Sequence, residues 1–434
     1  MILNHSDVWT PNVIEDIHVK AQLGRYRIRG FSTFQKFTGF DELVFLSTGL
    51  TRFPLEGYKE KCETKTIIGK RFAKEPLDLD IPVYITGMSY GALSRNAKVA
   101  LGLGASTVGT ATCTGDGGML MDERKASKKL IYQVLPSRYG FDPHHLVMAD
   151  MLEVVVGQGA KPGTGGLLMG QKVREEIAKM RDLPEGIDQR SPVRHPDWLG
   201  PDDLQMKIEE LREATDWRVP VQIKLPACRV KDDVKLAVKV GADSIVIDGM
   251  QAGTGASAEV LLDHCGIPTM PAIVQAREAL RELGVYGEVS LVASGGIRNG
   301  ADAAKAIALG ADAVAIGQAA IIALNCNKEL PGITDFEKEV GVKAGYCNKC
   351  HTGLCPVGIT TQDPELEKRL DPIEGGQRLA NFLNSMTMEM TLIARSLGKG
   401  DIHSLEPEDL AALTIEASAM ARVPLAGTDK IFGL

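Results

Sequence analysis

The sequence predicts an α/β fold: a (β/α)8 barrel with an N-terminal arm and a C-terminal helical extension. Three observations carry this. From about residue 80, eight short apolar runs, most of them rich in β-branched residues, alternate with segments of helical period. Two stretches, Ala237–Ile247 and Ala306–Ile316, echo each other. Each reads as a helix end, a glycine able to adopt positive φ, and a buried strand, which is the αβ half of a βαβ unit used twice. Glycine is abundant, at 46 of 434 residues, and its clusters follow the strands, where a barrel presents ligand groups. An open doubly wound sheet is the alternative these runs allow.

The elements follow in order. Residues 1–75 carry no strong repeat and read as an arm packed on the main domain, with a turn at Pro54-Leu55-Glu56-Gly57-Tyr58 and a solvated charged run at Lys59-Glu60-Lys61. Residues 76–325 are the barrel. Its expected strands are Pro82–Gly87, Thr107–Thr112 (the weakest), Leu130–Leu135, Leu152–Gly157, Val221–Leu225, Ser244–Asp248, Val289–Ser294 and Ala313–Gly317. Residues 326–358 form a cysteine-bearing segment. Residues 359–434 read as helices covering the barrel: Gln377–Leu383 and Met388–Leu397 have apolar spacing near 3.6, and Ser404–Leu410 carries a helix start with Pro407 in the first turn.

Charge narrows the partners. Lys and Arg total 49 against 56 Asp and Glu, a net charge of −7, so a broad nucleic-acid-binding surface is not expected. No stretch reaches the ~18 uninterrupted apolar residues of a membrane span. The start, Met1 to Asp7, lacks the basic and apolar regions of a secretory signal, so a cytoplasmic protein with reduced or metal-bound cysteines is expected. Cys62, Cys113, Cys228 and Cys265 stand alone and read as small buried apolar residues.

The polar clusters lie at the expected strand ends. Gly87–Ser94 holds Met88 and Ser89. Thr114–Gly118 holds Asp116. Gly157–Gly166 holds Gln158 and Lys161. Lys224 lies near the end of the fifth strand, and Asp248–Ala256 holds Gly253. After the last two strands come Gly295-Gly296 and Gly317-Gln318, consecutive turns whose backbone N–H groups suit one phosphate. Lys224 reads as a cation beside a reduced flavin ring or a substrate carboxylate, or as a structural ion-pair partner. Lys161 reads as a carboxylate or imine contact, or as a loop lysine. Arg181 suits a dicarboxylate or plain surface; His195 and Asp197 read more simply as polar loop side chains facing water.

The remaining cysteines group as Cys326-x20-Cys347-x2-Cys350-His351-x3-Cys355-Pro356. Four thiols with this spacing suit an iron–sulfur cluster. Structural zinc competes, and a reducing compartment disfavours disulfides.

Three of these runs together resemble a known family. Gln158-Gly159-Ala160-Lys161-Pro162-Gly163 with Gly165-Gly166, Gly253-Thr254-Gly255-Ala256-Ser257, and Cys350-His351-x3-Cys355-Pro356-Val357-Gly358 followed by Thr361-Gln362-Asp363 resemble the FMN-binding synthase domain of glutamate synthases over about residues 80–365. The separate-chain form is most similar to the flavin subunit of N-methylglutamate synthase. The resemblance implies FMN at the barrel mouth, an adjacent [3Fe-4S] or [4Fe-4S] cluster, and reduction of the imine formed from 2-oxoglutarate and ammonia or methylamine to give glutamate or its N-methyl form. It implies that Met88, Ser89, Gln158, Lys224 and Gly253 contact the flavin. Gly295, Gly296, Gly317 and Gln318 would hold its phosphate. Lys161, Arg181 and Asp116 would serve substrate and catalysis, and Cys326, Cys347, Cys350 and Cys355 would supply the cluster ligands.

The match has departures. The family's first ligand cysteine falls at Ala344, so Cys347 or Cys326 stands in. The family's Gln after Gly-Gly is Leu167, and its Glu in the Thr-Gly-x-Gly-Gly turn is Asp116. No glutaminase-like stretch precedes the barrel and no glycine-patterned β-helix follows it. Amine is therefore expected from solution or from glutaminase-like and glycine-rich β-helix partner subunits, with an electron-donor protein, in an oligomeric complex. Two other classes compete: another FMN barrel dehydrogenase, and a zinc-bearing non-catalytic scaffold subunit.

Overall fold

The computed structural model describes residues 7–57, 59–255 and 257–433. Residues 1–6 of the start, Tyr58 of the Pro54 turn and Ala256 of the Gly253 run lie outside them. Eight parallel strands form the barrel: β1 (Val83–Ile85), β2 (Thr112–Cys113), β3 (Leu130–Val134), β4 (Met151–Val155), β5 (Val221–Pro226), β6 (Ser244–Asp248), β7 (Ser290–Ser294) and β8 (Ala313–Ile316). Each pairs with its chain neighbour from β2 round to β8, and β8 returns to β1. The gap between β1 and β2 is bridged by Ile85 N–H donating to Ala111 O at 2.9 Å, and by Thr110 Oγ1 donating to Val83 O at 2.6 Å. The barrel is thus nearly closed.

Every residue of β3, β4, β6, β7 and β8 is buried. A parallel strand covered on both faces has no polar side to show, which is why these strands read as continuous apolar runs. The two echoed glycines behave alike: Gly241 has φ +95° and Gly310 φ +121°, where a side chain would strain the turn from helix to strand. One expected strand moves. The helix Arg95–Thr107 runs through the start of the Thr107–Thr112 stretch, and β2 begins only at Thr112. Gly109, at φ +72°, turns the chain out of that helix, and only Thr112 and Cys113 reach the β3 ladder.

The barrel floor is closed by the hairpin Thr66–Ile68 with Leu77–Leu79. Ile68, Leu77 and Leu79 pack among inward residues such as Tyr84, Met151 and Val292. The arm also contributes the helix Pro11–Leu23, and strand Ile28–Arg29 pairs antiparallel with Ser257–Ala258. Arg29 ties this pairing down through Glu259 and through Asp263 at 2.5 Å.

At the other end of the chain the two expected helical segments are one helix, Pro372–Ser396, capped by Asp371. It packs on Arg95–Thr107 and Gly300–Ala308. The helix expected from Ser404 is absent. Pro407–Asp409 makes one 3-10 turn, and Leu410–Ala412 then pairs with Leu43–Phe45 of the arm. Tertiary pairing wins over a weak local helix start. No helix among the described residues is long and apolar enough to cross a membrane.

Candidate functional site

A cavity of about 990 Å³ opens at the C-terminal ends of the strands. Its lining includes Met88, Ser89, Asp116, Gln158, Lys161, Lys224, Gly253, Gly295, Gly296, Gly317 and Gln318. The barrel brings these together from seven different strand ends. Arg181 stands apart: it lines a smaller chamber of about 70 Å³ beside the cavity. Burial lowers its pKa, and its guanidinium already donates to Gln189 Oε1 at 3.0 Å, to Asp116 O at 3.1 Å and to Tyr90 O. It braces the walls of the site.

One side of the cavity suits a phosphate. Gly295 and Gly296 have φ +100° and +78°. No protein acceptor takes the Gly296 or Gln318 backbone N–H among the described residues. The Gln318 side-chain Nε2 is buried without a partner, an open donor that a bound group would satisfy. Arg298, in the same turn, is committed elsewhere, held by Asp41 at 2.6 Å and Asp302 at 2.8 Å.

The floor of the cavity is charged. Lys224 is buried, and its Nζ donates to Thr86 Oγ1 at 2.9 Å. Burial opposes its charge, but Asp248, Glu153 and Cys113 outweigh that and its pKa is raised. Glu153 is fixed by two amides, Gln133 Nε2 at 2.5 Å and Gln222 Nε2 at 2.6 Å. A permanent cation therefore stands under the cavity, held by carboxylates that cannot swing away. Lys161 differs. Burial lowers its pKa against the pull of Asp116, and Lys224 lowers it further. Asp116 is oriented by Ser137 Oγ and Ser191 Oγ, both donating at 2.7 Å.

The four late thiols approach one another beside this site. Burial, then the three neighbouring thiols, raises the Cys326 pKa. Burial, then Cys355, raises Cys350 to about 11, with Lys172 opposing. Among the described residues, no three His, Cys, Asp or Glu side chains converge tightly enough for a single metal ion. Asn327 organises the segment: its Oδ1 accepts from Cys347 N at 2.8 Å, and its Nδ2 donates to Cys347 O at 3.1 Å. Cys350 lines both the cavity and the chamber.

Several functional neighbours are silent in the sequence. Lys98 donates to the carbonyls of Met88 at 2.5 Å, and of Cys113 and Thr114 at 3.1 Å each. Lys172, buried, donates to Ala92 O at 2.7 Å and Cys350 O at 3.0 Å. Its pKa falls to about 8 through burial, against the pull of the Cys350 and Cys355 thiols. Gly30 to Thr33 of the arm, and Arg378, Asn381 and Phe382 of the long helix, complete the cavity wall. His195 is not plain surface. It is buried, stacks on Trp198 at 4.9 Å, and bonds Val155 O at 2.8 Å; burial takes its pKa down to about 4. Arg138 bridges it to Asp197, so the pair anchors a loop.

The barrel fold is similar to that of solved structures. A Pediococcus acidilactici lactate oxidase matches with TM-score 0.52 at 15% identity, over 86% of this chain and 83% of that one. The flavin-binding domain of baker's yeast flavocytochrome b2 matches with TM-score 0.50 at 16% identity, over 86% of this chain and 76% of that one. These likenesses establish the fold. Sequence establishes the family: residues 34–400 match the conserved region in glutamate synthase. A glutamate synthase large subunit-like protein of Rhizobium meliloti is 56% identical over 96% of this chain and 93% of its own length. An archaeal glutamate synthase [NADPH] of Methanocaldococcus jannaschii is 37% identical over 92% of this chain and 79% of its own. The chain belongs to the glutamate synthase family.

Proposed function

We propose that the protein is the FMN- and iron–sulfur-dependent catalytic subunit of a cytoplasmic glutamate synthase or N-methylglutamate synthase type complex. It reduces the imine formed from 2-oxoglutarate and ammonia or methylamine. The observation that carries this reading is Cys350: the first thiol of the Cys-His-x3-Cys-Pro motif is itself a wall of the flavin-sized cavity.

The residues present fit FMN. The open Gly296 and Gln318 amides and the unpaired Gln318 side chain suit its phosphate. Met88, Ser89, Gln158 and Gly253 line the space for its ring, and Lys224 supplies a fixed positive charge there. Cys326, Cys347, Cys350 and Cys355 would hold the cluster: the three other thiols all act on Cys326. FMN would supply hydride for the imine C2, and the cluster one-electron delivery from a donor protein. Lys161, with its lowered pKa and Asp116 beside it, is suited to hold a carboxylate or to give a proton to the imine nitrogen. Arg181 keeps the Asp116 turn and Tyr90 in register. Glutaminase-like and glycine-rich β-helix subunits are the partners proposed to deliver amine.

The test is expression with iron and riboflavin available, followed by an absorption spectrum and FMN, iron and sulfide determinations. Turnover is then followed with 2-oxoglutarate, either ammonia or methylamine, and dithionite as the source of electrons. One FMN and a cluster per chain, with turnover of one amine, is the expected result. Protein carrying neither flavin nor iron would refute the reading.

A further inference from the structure

The small chamber beside the cavity shares Asp116, Lys161 and Ser191 with it, and adds Arg181, Gln189 and Leu167. Gln189 is 5% exposed. It lies on a two-residue strand whose pairing with Leu168 fixes its backbone. Its Oε1 accepts from Arg181 Nη1 at 3.0 Å, while its Nε2 has no partner. Arginine only donates, so the amide oxygen must face it and the NH2 must be the free end. The Lys161 Nζ likewise makes no hydrogen bond or ion pair within the described residues. Asp116 lines the chamber too, and each of its oxygens accepts from a serine hydroxyl. The chamber therefore offers a lysine amine and a buried neutral donor, neither hydrogen-bonded to Asp116. Leu167 and Leu168 supply an apolar side.

We infer that Gln189 is a specificity-determining substrate contact, donating from Nε2 to the distal carboxylate of a dicarboxylic 2-oxo acid that reaches into this chamber from the cavity. A short methylene arm ending in a carboxylate fits about 70 Å³. It meets an apolar wall, then two unsatisfied donors, one of them a lysine amine. A buried donor left open is costly, and an anionic acceptor relieves it most. The inference rests on the functional reading above and names the residue that selects the acid.

FMN-loaded wild-type, Gln189→Leu and Gln189→Glu proteins are titrated with 2-oxoglutarate and with pyruvate, which lacks the distal carboxylate, and Kd is read from the flavin absorbance change. Gln189→Glu keeps an oxygen toward Arg181 and turns the free donor into an anionic acceptor that opposes a bound carboxylate, so it reports even where Gln189→Leu does not fold. The expected result is a Kd for 2-oxoglutarate raised about tenfold or more in either variant, with the pyruvate Kd and FMN content unchanged. Wild-type affinity for 2-oxoglutarate in Gln189→Glu overturns the inference, as does an equal loss for both acids. If wild-type protein itself binds no 2-oxoglutarate, the functional reading falls and takes this one with it.

Discussion

Lys98→Met offers the most exacting check on how the cavity is held. Lys98 and Glu123 are each 1% exposed, with Nζ 2.7 Å from Oε1. The three ammonium hydrogens are already directed to the Met88, Cys113 and Thr114 carbonyls. Glu123, with no other partner among the described residues, depends on Lys98. Burial raises its pKa to about 7 even with that cation present. Removing the cation strands the Met88, Cys113 and Thr114 carbonyls, at a cost of about 1–3 kcal/mol, and drives Glu123 to its protonated form. Methionine fills most of the lysine volume, so packing contributes little. Urea unfolding at pH 7.5 and at pH 5 measures the effect. The loss should lie in that range at both pH values and be larger at pH 7.5 by no more than about 1 kcal/mol, since Glu123 with a folded pKa of about 7 is already partly protonated there in the wild type. Adding Glu123→Gln should restore about 3 kcal/mol at pH 7.5, because an amide needs no proton taken up above the free glutamate pKa. FMN content should fall with Lys98→Met, since the Met88 carbonyl borders the flavin site. A loss below about 1 kcal/mol at both pH values, or no recovery at pH 7.5 on adding Glu123→Gln, would refute the reasoning.

Three further outcomes are expected. The folded pKa of Glu123, about 7, lies above the 4.5 of a free glutamate; its stabilising contribution is full below the unfolded value and is lost as pH rises through the folded one, on the order of 3 kcal/mol. Glu123→Gln should remove that decline between pH 4.5 and 7.5 in a pH series of unfolding curves. A Cβ at Gly159 would lie 2.0 Å from Gly249 O and 2.5 Å from Asp248 O, so Gly159→Ala should cost about 1–3 kcal/mol or more and empty the site of FMN, measured by flavin released per chain. All three other late thiols act on Cys326; Cys326→Ser should lower iron per chain as far as Cys350→Ser, and full iron retention would leave Cys347 as the ligand in its place.

The barrel was legible because each strand is covered on both faces. β6 and β7 are continuous apolar runs bounded by polar or glycine residues, and Gly241 and Gly310 mark the same turn twice. The cavity residues after the strands were legible for the same reason: a parallel barrel delivers every strand end to one rim, so Lys161, Lys224 and Gly295 meet although far apart in the chain. β2 was misplaced because Thr110, Ala111 and Thr112 carry little local preference, and only the β3 ladder sets its start.

The sequence by itself determined the period of the barrel, the glycines at its mouth and the spacing of the late thiols, all of which are local along the chain. Only the tertiary structure decided that Gly30 to Thr33 of the arm wall the cavity, that Arg181 braces a side chamber, that His195 is buried, and that Gln189 keeps a free donor. Each of these depends on a partner remote in sequence: Arg29 with Asp263, Arg181 with Tyr90, His195 with Val155. Local propensity and pattern report which backbone forms. Which polar atom is left unsatisfied is settled only when distant segments close around it and exclude water.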